Sequence, residues 1–85
     1  MYLSAQDINM STKMIEEKRL LRSVAAGWGR RRNFSNFDVT EVSLFLKLQS
    51  SGHMTIKVDD RGWEWVTLTE AGEKRLQTLN KNLPS

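Results

Sequence analysis

Three consecutive arginines, Arg30, Arg31 and Arg32, give the chain its densest charge. An arginine side chain is planar, always charged and weakly hydrated, and it can donate two parallel hydrogen bonds to one phosphate. Gly29 and Asn33 flank the triplet, which favours an exposed connection whose arginines bracket a phosphate backbone. The alternative is a solvated loop whose charge only keeps the protein in solution.

The charge around this triplet is distributed unevenly. The 85 residues hold 13 Lys and Arg against 10 Asp and Glu, which gives a net charge of +3. Residues 13–32 contain seven basic and two acidic residues, a balance of +5, whereas residues 59–75 contain three basic and five acidic residues, a balance of −2. A basic segment on a nearly neutral background is typical of chains that bind polyanions.

A second group of polar side chains lies on a predicted helix over residues 38–51. Asp38 and Glu41 have the spacing of a capping box at its start. Its apolar faces are supplied by Val42, Phe45, Leu46 and Leu48. Its polar side carries Thr40, Ser43 and Lys47. Hydroxyls can contact base edges or phosphates, and a lysine can reach a phosphate or a guanine. An ordinary exposed helix face would show the same pattern.

A β-hairpin is predicted after this helix. Met54, Ile56 and Val58 alternate with polar residues, which indicates a strand. Asp60-Arg61-Gly62 occupies the turn region, and the return strand is predicted over residues 63–68. Lys57 in the first strand and Arg61 at the tip are the cations of this hairpin. Asp59 and Asp60 lower the local potential beside Arg61, and an alternative role for them is to fix its side chain.

Trp63 and Trp65 are unusual because strand alternation places both on one surface. If Val66 and Leu68 face the core, the period of two puts the tryptophans on the opposite face. Neighbouring exposed tryptophans are costly without a partner, and tryptophan is a common interface anchor. Either Tyr2 and Leu3 or the rest of the N-terminal segment cover them, or a partner protein binds there. A second copy of the chain is the simplest partner.

Two more helices frame these elements. The first is predicted over residues 12–27, capped by Ser11 or Thr12 and ended by glycines, with Phe34 and Phe37 beyond it turned into the core. Its apolar stripe is Met14, Leu21, Val24, Ala25 and Trp28, and its other faces carry Lys18, Arg19 and Arg22. The last helix is predicted over residues 70–81 with Thr69 as its cap. Residues 28–37 are predicted as a connection.

The second half of the chain resembles the winged helix-turn-helix domains of the MarR type. Leu48 and Gly52 match the end of the family's recognition helix. The wing and the cap after it are matched by Asp60, Arg61, Val66, Leu68, Thr69 and Gly72. The resemblance covers residues 38–80 and implies a small α+β domain whose second helix enters a major groove while Arg61 stands beside a minor groove.

Several function classes are excluded by composition. The chain has no cysteine, so it has no disulfide and no cysteine-based zinc or iron–sulfur site, and His53 is its single histidine. It lacks a nucleophile–base constellation, a Walker A motif and a G-x-G-x-x-G motif, so we expect neither catalysis nor a cofactor or metal. No segment approaches the roughly 20 apolar residues that span a bilayer, and the N-terminus lacks the features of a secretory signal. A cytoplasmic protein is therefore expected, without membrane association.

Taken together, these features predict a single domain over residues 1–85, with residues 1–11 as a flexible N-terminal segment. The expected function is transcriptional regulation by a homodimer that binds double-stranded DNA. Its DNA-binding residues are expected to be Arg30, Arg31, Arg32, Thr40, Ser43, Lys47, Lys57 and Arg61. The alternative is a protein-interaction module or inhibitor, of bacterial or phage type, that binds a partner protein through Trp63 and Trp65.

Overall fold

A computed structural model describes the backbone of residues 5–82 and the side chains of residues 13–81. Within this range the chain forms three α-helices and one three-stranded antiparallel sheet. Their order is α1 (Ala5–Ala25), β1 (Arg31–Asn33), α2 (Val39–Ser50), β2 (Met54–Val58), β3 (Glu64–Leu68) and α3 (Glu70–Asn82). Short 3₁₀ turns, Trp28–Arg30 and Phe34–Asn36, lie on either side of β1. The predicted α+β class is confirmed.

Helix α1 begins earlier than the sequence predicts. Because it starts at Ala5, Ser11 and Thr12 lie inside the helix, and the prediction that one of them caps it is wrong. The backbone of residues 5–11 is helical. Tyr2 and Leu3, the candidate cover for the tryptophans, lie outside the described residues.

The sheet has the order β1-β3-β2, so β3 is its central strand. Residues 31–33 were predicted to belong to a connection, but they form strand β1. This strand pairs with β3, and Arg32 lies opposite Val66. Strand β2 pairs with the other edge of β3, and Ile56 lies opposite Val66. Residues directly opposed in an antiparallel pair share a face of the sheet. A row of Arg32, Val66 and Ile56 therefore crosses the inner face, which packs against the helices.

The core is formed by all three helices and the two longer strands. Its buried apolar side chains are Leu20, Leu21, Val24, Phe45, Leu48, Met54, Val66, Leu76 and Leu79. Phe34 and Phe37 pack against it as predicted, each with its ring close to that of Phe45. These contacts hold the 3₁₀ turn after β1 against α2.

Three burial predictions are wrong. Lys18 was expected on a solvated face of α1, but it is only 4% exposed, one helical turn before the buried Leu21. Trp28 was counted in the apolar stripe of α1, but the helix ends at Ala25 and Trp28 is 95% exposed. Leu46 is 55% exposed on the outer side of α2.

The junction between α2 and β2 needs a residue with a left-handed backbone, and Gly52 occupies that position. Gly52 has φ of +83°, and its N–H donates to the carbonyl of Gln49 while the N–H of His53 donates to that of Leu48. This is a Schellman motif, whose left-handed residue is normally glycine. The predicted role of Gly52 in ending the helix is confirmed.

A second glycine brings α3 close to this junction. The hydroxyl of Thr69 accepts a hydrogen bond from the N–H of Gly72 at 3.1 Å and donates to the carbonyl of Gly52 at 2.6 Å, which confirms Thr69 as the cap of α3. A Cβ added at Gly72 would lie 2.0 Å from the carbonyl oxygen of His53. Only glycine lets α3 pass so near the start of β2.

None of the helices within residues 5–82 has both the length and the apolar character needed to cross a membrane.

Candidate functional site

The three consecutive arginines lie in three different surroundings. Arg31 and Arg32 are neighbours in β1, so their side chains leave opposite faces of the sheet. Arg32 lies opposite Val66 on the inner face, whereas Arg31 lies on the outer face. Arg30 belongs to the preceding turn and forms an ion pair with Glu73 of α3. Adjacency in the sequence therefore does not make the triplet one basic patch.

Arg32 is bound within the fold. Its guanidinium donates to both carboxylate oxygens of Glu41, at 2.5 and 3.0 Å. It also donates to the hydroxyl of Ser23 and to the backbone carbonyl of Asn36, each at 2.9 Å. The guanidinium carbon lies 4.5 Å from the centroid of the Phe37 ring. Arg32 thus ties β1 to α1 and α2, and its side chain is only 20% exposed.

Glu41 takes part both in the ion pair with Arg32 and in the N-terminal cap of α2. The hydrogen bond from Arg32 lowers the pKa of Glu41 below its ordinary value of 4.5, partial burial opposes the shift, and the bond from the backbone N–H of Asp38 adds to the lowering. Asp38 in turn accepts from the N–H of Glu41 at 2.7 Å, which completes the predicted capping box. One carboxylate therefore stabilises both the start of α2 and the position of β1.

Arg30 has an uncommon backbone. Its φ is 58°, in the left-handed region that costs an L-residue free energy. Its guanidinium donates to Glu73 at 2.5 Å, but its side chain is 63% exposed. An ion pair this exposed contributes little to stability.

Arg31 covers a tryptophan on the outer face of the sheet. Its guanidinium carbon lies 4.0 Å from the centroid of the Trp65 ring, a cation–π contact. Trp65 is fixed from the other side, because its indole N–H donates to Asp59 at 2.8 Å. Among the described residues, Arg31 has neither an ion pair nor a hydrogen-bond acceptor for its side chain, so its donors remain available to a ligand.

Asp59 organises the tip of the hairpin. One carboxylate oxygen accepts from the backbone N–H groups of Arg61 and Trp63, each at 2.9 Å, and the other accepts from Trp65. The Trp65 bond is the main reason that the pKa of Asp59 lies below its ordinary value of 3.8, and Arg31 adds to the lowering. Asp59 binds the backbone of Arg61 rather than its side chain, which leaves that side chain exposed.

All three tryptophans of the chain lie around the outer face of the sheet. Trp65 shares this face with Lys57 and Asn33, the residues directly opposite it. The predicted face of Trp65 is confirmed, and Trp63 is 50% exposed. Trp28, which was predicted to lie on the apolar stripe of α1, joins Trp63 and Trp65 in lining a hollow of about 480 Å³. Strand alternation could reveal Trp63 and Trp65, but only the pairing of β1 with β3 brings Trp28 to them.

The polar side of α2 borders a different concavity. Thr40, Ser43 and Lys47 are all exposed, and they line an open groove of about 730 Å³ between α2, α1 and α3. The opposite wall includes Lys13 and the ion pair of Glu17 with Arg75, whose side chains are 2.9 Å apart. The predicted polar face of α2 is thus accessible, and it shares no lining residue with the tryptophan hollow.

Unpaired cations outnumber unpaired carboxylates on the described surface. Carboxylates in ion pairs with arginine or lysine are Glu17, Glu41, Glu70 and Glu73. Asp38 and Asp59 accept hydrogen bonds from backbone N–H groups. No ion pair is formed within the described residues by Lys13, Arg19, Arg22, Arg31, Lys47, Lys57, Arg61 or Lys81. These exposed cations are available to an anionic partner.

His53 has a structural position. Its Nδ1 lies 2.6 Å from the hydroxyl of Ser51, and its carbonyl accepts from the N–H of Thr69. Within the part of the chain that the structure describes, no three His, Cys, Asp or Glu residues are grouped as a metal site would require. The arrangement around His53 holds β2 against α3.

All sequence-predicted residues but Arg30 therefore lie on two surfaces or in the Arg32–Glu41 ion pair, and Arg30 forms an exposed ion pair with Glu73. Thr40, Ser43 and Lys47 lie along the α2 groove, and the cations and tryptophans of the hairpin lie on the outer sheet face or at its tip. Comparisons of the chain with protein families, curated proteins and solved structures find no match.

Proposed function

We propose that the protein is a small winged-helix protein that binds double-stranded DNA through α2 and the β2–β3 hairpin. The observation that carries the proposal is the exposed polar side of α2, where Thr40, Ser43 and Lys47 lie in a row of helical spacing directly before the hairpin. A helix presented in this way can enter a major groove and contact base edges and phosphates.

The hairpin supports the same proposal. Arg61 stands at its tip, and Asp59 and Gly62 shape the backbone of that turn without binding the Arg61 side chain. An arginine on a rigid tip can enter a minor groove or contact a phosphate beside the site of the helix. The order of α2, hairpin and α3 also agrees with the winged-helix resemblance.

The proposed interface is smaller than the one predicted from the sequence. Arg30 and Arg32 are left out because their guanidinium groups are bonded to Glu73 and Glu41. Lys47 and Arg61 become its main phosphate contacts, with Lys13 across the α2 groove as a further cation. Binding of this kind depends mainly on charge, so we expect modest sequence preference and a strong salt dependence.

We further propose that the protein acts as a transcriptional regulator and binds DNA as a homodimer. Helix-turn-helix dimers contact two half-sites about one helical turn apart. Sedimentation of the free protein and of its complex with duplex DNA tests this part: two chains per duplex are expected, and a complex with one chain per duplex contradicts it.

A binding assay with charge-matched variants tests the interface. We expect labelled random-sequence duplex to bind the wild-type protein with an affinity that falls steeply between low and moderate salt. Lys47→Ala should weaken binding and reduce the slope of log affinity against log salt by about 1. Lys81→Ala removes the same charge from the last turn of α3 and should change neither. Equal slopes for the two variants, or no binding at low salt, would disprove the proposal.

A further inference from the structure

We propose that the outer face of the sheet, around Trp28, Trp63 and Arg31, binds single-stranded nucleic acid by stacking its bases on the tryptophans. This surface shares no lining residue with the α2 groove and only Arg61 with the proposed duplex interface, so the proposal goes beyond duplex binding. Three lines of evidence support it: accessible ring faces, unpaired cations beside them, and amide groups at the rim.

The aromatic surface is accessible and well placed. Trp28 is 95% exposed and Trp63 is 50% exposed, and both line one hollow with Trp65. Trp65 is held between the Arg31 guanidinium and the Asp59 carboxylate, so it forms a fixed floor. A second hollow, also of about 480 Å³, lies towards the hairpin tip and shares Trp63 and Trp65 as walls. Two adjoining hollows with common aromatic walls suit consecutive unpaired bases.

Three cations lie on or beside this surface. Lys57 is directly opposite Trp65 in the sheet, Arg31 covers the Trp65 ring, and Arg61 lines the second hollow. None of the three forms an ion pair among the described residues. Surfaces that bind single strands combine a positive groove for the backbone with aromatic rings for the bases. Lysine is depleted at the centre of protein–protein interfaces, so Lys57 beside Trp65 favours a nucleic acid over a protein partner.

The carboxylates of this surface do not cancel its attraction for an anion. Asp59 already accepts three N–H donors, which share its charge within the turn. Asp60 lies in the hollow nearer the hairpin tip and does not line the one that contains Trp28. The Trp28 hollow is therefore the primary base-binding position, and the backbone follows the side chains of Arg31 and Lys57.

Amide groups at the rim can read base edges. The side-chain oxygen of Asn33 accepts from the backbone N–H of Ser35 at 2.9 Å and from its hydroxyl at 2.6 Å. This leaves the Asn33 amide N–H donors without a partner among the described residues, at the edge of the hollow that contains Trp28. Asn36 lines the same hollow. Duplex DNA cannot use this arrangement, because its bases are already stacked and paired.

Titration of the full chain with short oligothymidylate and oligouridylate tests the proposal, with tryptophan fluorescence and the anisotropy of a labelled strand as readouts. Quenching of tryptophan emission is expected on binding. Trp28→Ala combined with Trp63→Ala should weaken single-strand binding roughly tenfold or more, and Trp28→Phe should retain most of it because phenylalanine also stacks. Thermal unfolding of each variant verifies that it folds.

Two controls separate this surface from the α2 groove. Leu46→Ala removes an exposed apolar side chain from α2 and should leave single-strand binding unchanged. Lys47→Ala should weaken duplex binding alone, whereas the double tryptophan variant should weaken single-strand binding alone. Unchanged single-strand affinity in the double tryptophan variant overturns the proposal. So does a wild-type protein that binds no single strand. If that protein also self-associates through these tryptophans, the face is a dimer surface.

Discussion

The two faces of the β-sheet make opposite uses of adjacent residues in β1. On the inner face, Arg32 is bound by Glu41, Ser23 and a backbone carbonyl, and it stabilises the packing of the helices. On the outer face, Arg31 covers the Trp65 ring and forms neither an ion pair nor a side-chain hydrogen bond among the described residues. The difference arises from the alternation of side chains along a strand, so a shift of one residue in register would exchange the two roles. Two identical residue types thus separate into one that is bonded within the fold and one that is not.

The largest expected effect comes from crowding the inner side of the domain. Gly72→Ala would place a Cβ 2.0 Å from the carbonyl oxygen of His53, so α3 must move away from the start of β2. Exchange of glycine for alanine within a helix normally stabilises it by about 1 kcal/mol. Here we expect the sign to reverse, with a loss of about 3 kcal/mol in the free energy of unfolding, as found for overpacked interiors.

Denaturant unfolding measures this effect, with Gly62→Ala as the control. Gly62 has a φ of +83°, unlike Gly72, and a Cβ there meets nothing within 4 Å. Gly62→Ala should therefore lower the free energy of unfolding by only about 1 kcal/mol, which is the cost of a left-handed backbone for an L-residue. Equal losses in the two variants would show that α3 does not pass close to His53.

The next prediction compares the two arginines directly. Arg32→Ala removes three hydrogen-bonded partners at once and should lower the free energy of unfolding by about 2 kcal/mol. Arg31→Ala loses one cation–π contact and should cost at most about 1 kcal/mol. Single-strand affinity should show the reverse order, since Arg31 belongs to the outer face. Chemical denaturation and anisotropy on the same two proteins give both values, and matching changes in stability would contradict the division between the faces.

Local features of the fold could be predicted from the sequence, but the different roles of the two sheet faces could not. The capping box of Asp38 and Glu41, the end of α2 at Gly52 and the cap at Thr69 follow from local patterns, and the structure confirms all three. Strand β1 escapes prediction because it is three residues long, polar, and defined by pairing with residues more than thirty positions later. That pairing also buries Arg32 and brings Trp28 to the outer face.

Acid should weaken the inner face. Because Arg32 lowers the pKa of Glu41, the folded protein holds this carboxylate ionised more strongly than the unfolded chain does. The stabilisation is therefore complete above the ordinary pKa of 4.5 and is lost as the pH falls through the lowered value. Glu41 is partly exposed, so we expect the effect to be smaller than that of Arg32→Ala.

Unfolding midpoints measured from neutral pH down to about pH 3 test this prediction, since that range brackets the ordinary pKa of a glutamate. Glu41→Gln should flatten the acid side of the stability profile, and Arg32→Ala should flatten it as well because the bond is then absent. Glu64→Gln, at an exposed position of β3 without an ion pair, serves as the charge-matched control. A profile as steep in Glu41→Gln as in the wild type would assign the acid sensitivity to other carboxylates.

The smallest effect is expected at Arg30, which belongs to neither face. Glycine there would relieve the left-handed strain of an L-residue, a gain of about 1–2 kcal/mol. It would also lose the exposed pair with Glu73, worth about 0.2–1 kcal/mol, and add flexibility to the unfolded chain at a cost of about 0.5–1 kcal/mol. These contributions nearly cancel, so Arg30→Gly should change the free energy of unfolding by less than about 0.5 kcal/mol. A large loss in chemical denaturation would instead place Arg30 beside Arg32 among the residues that hold the domain together, and the triplet would then contain two structural arginines and one free one.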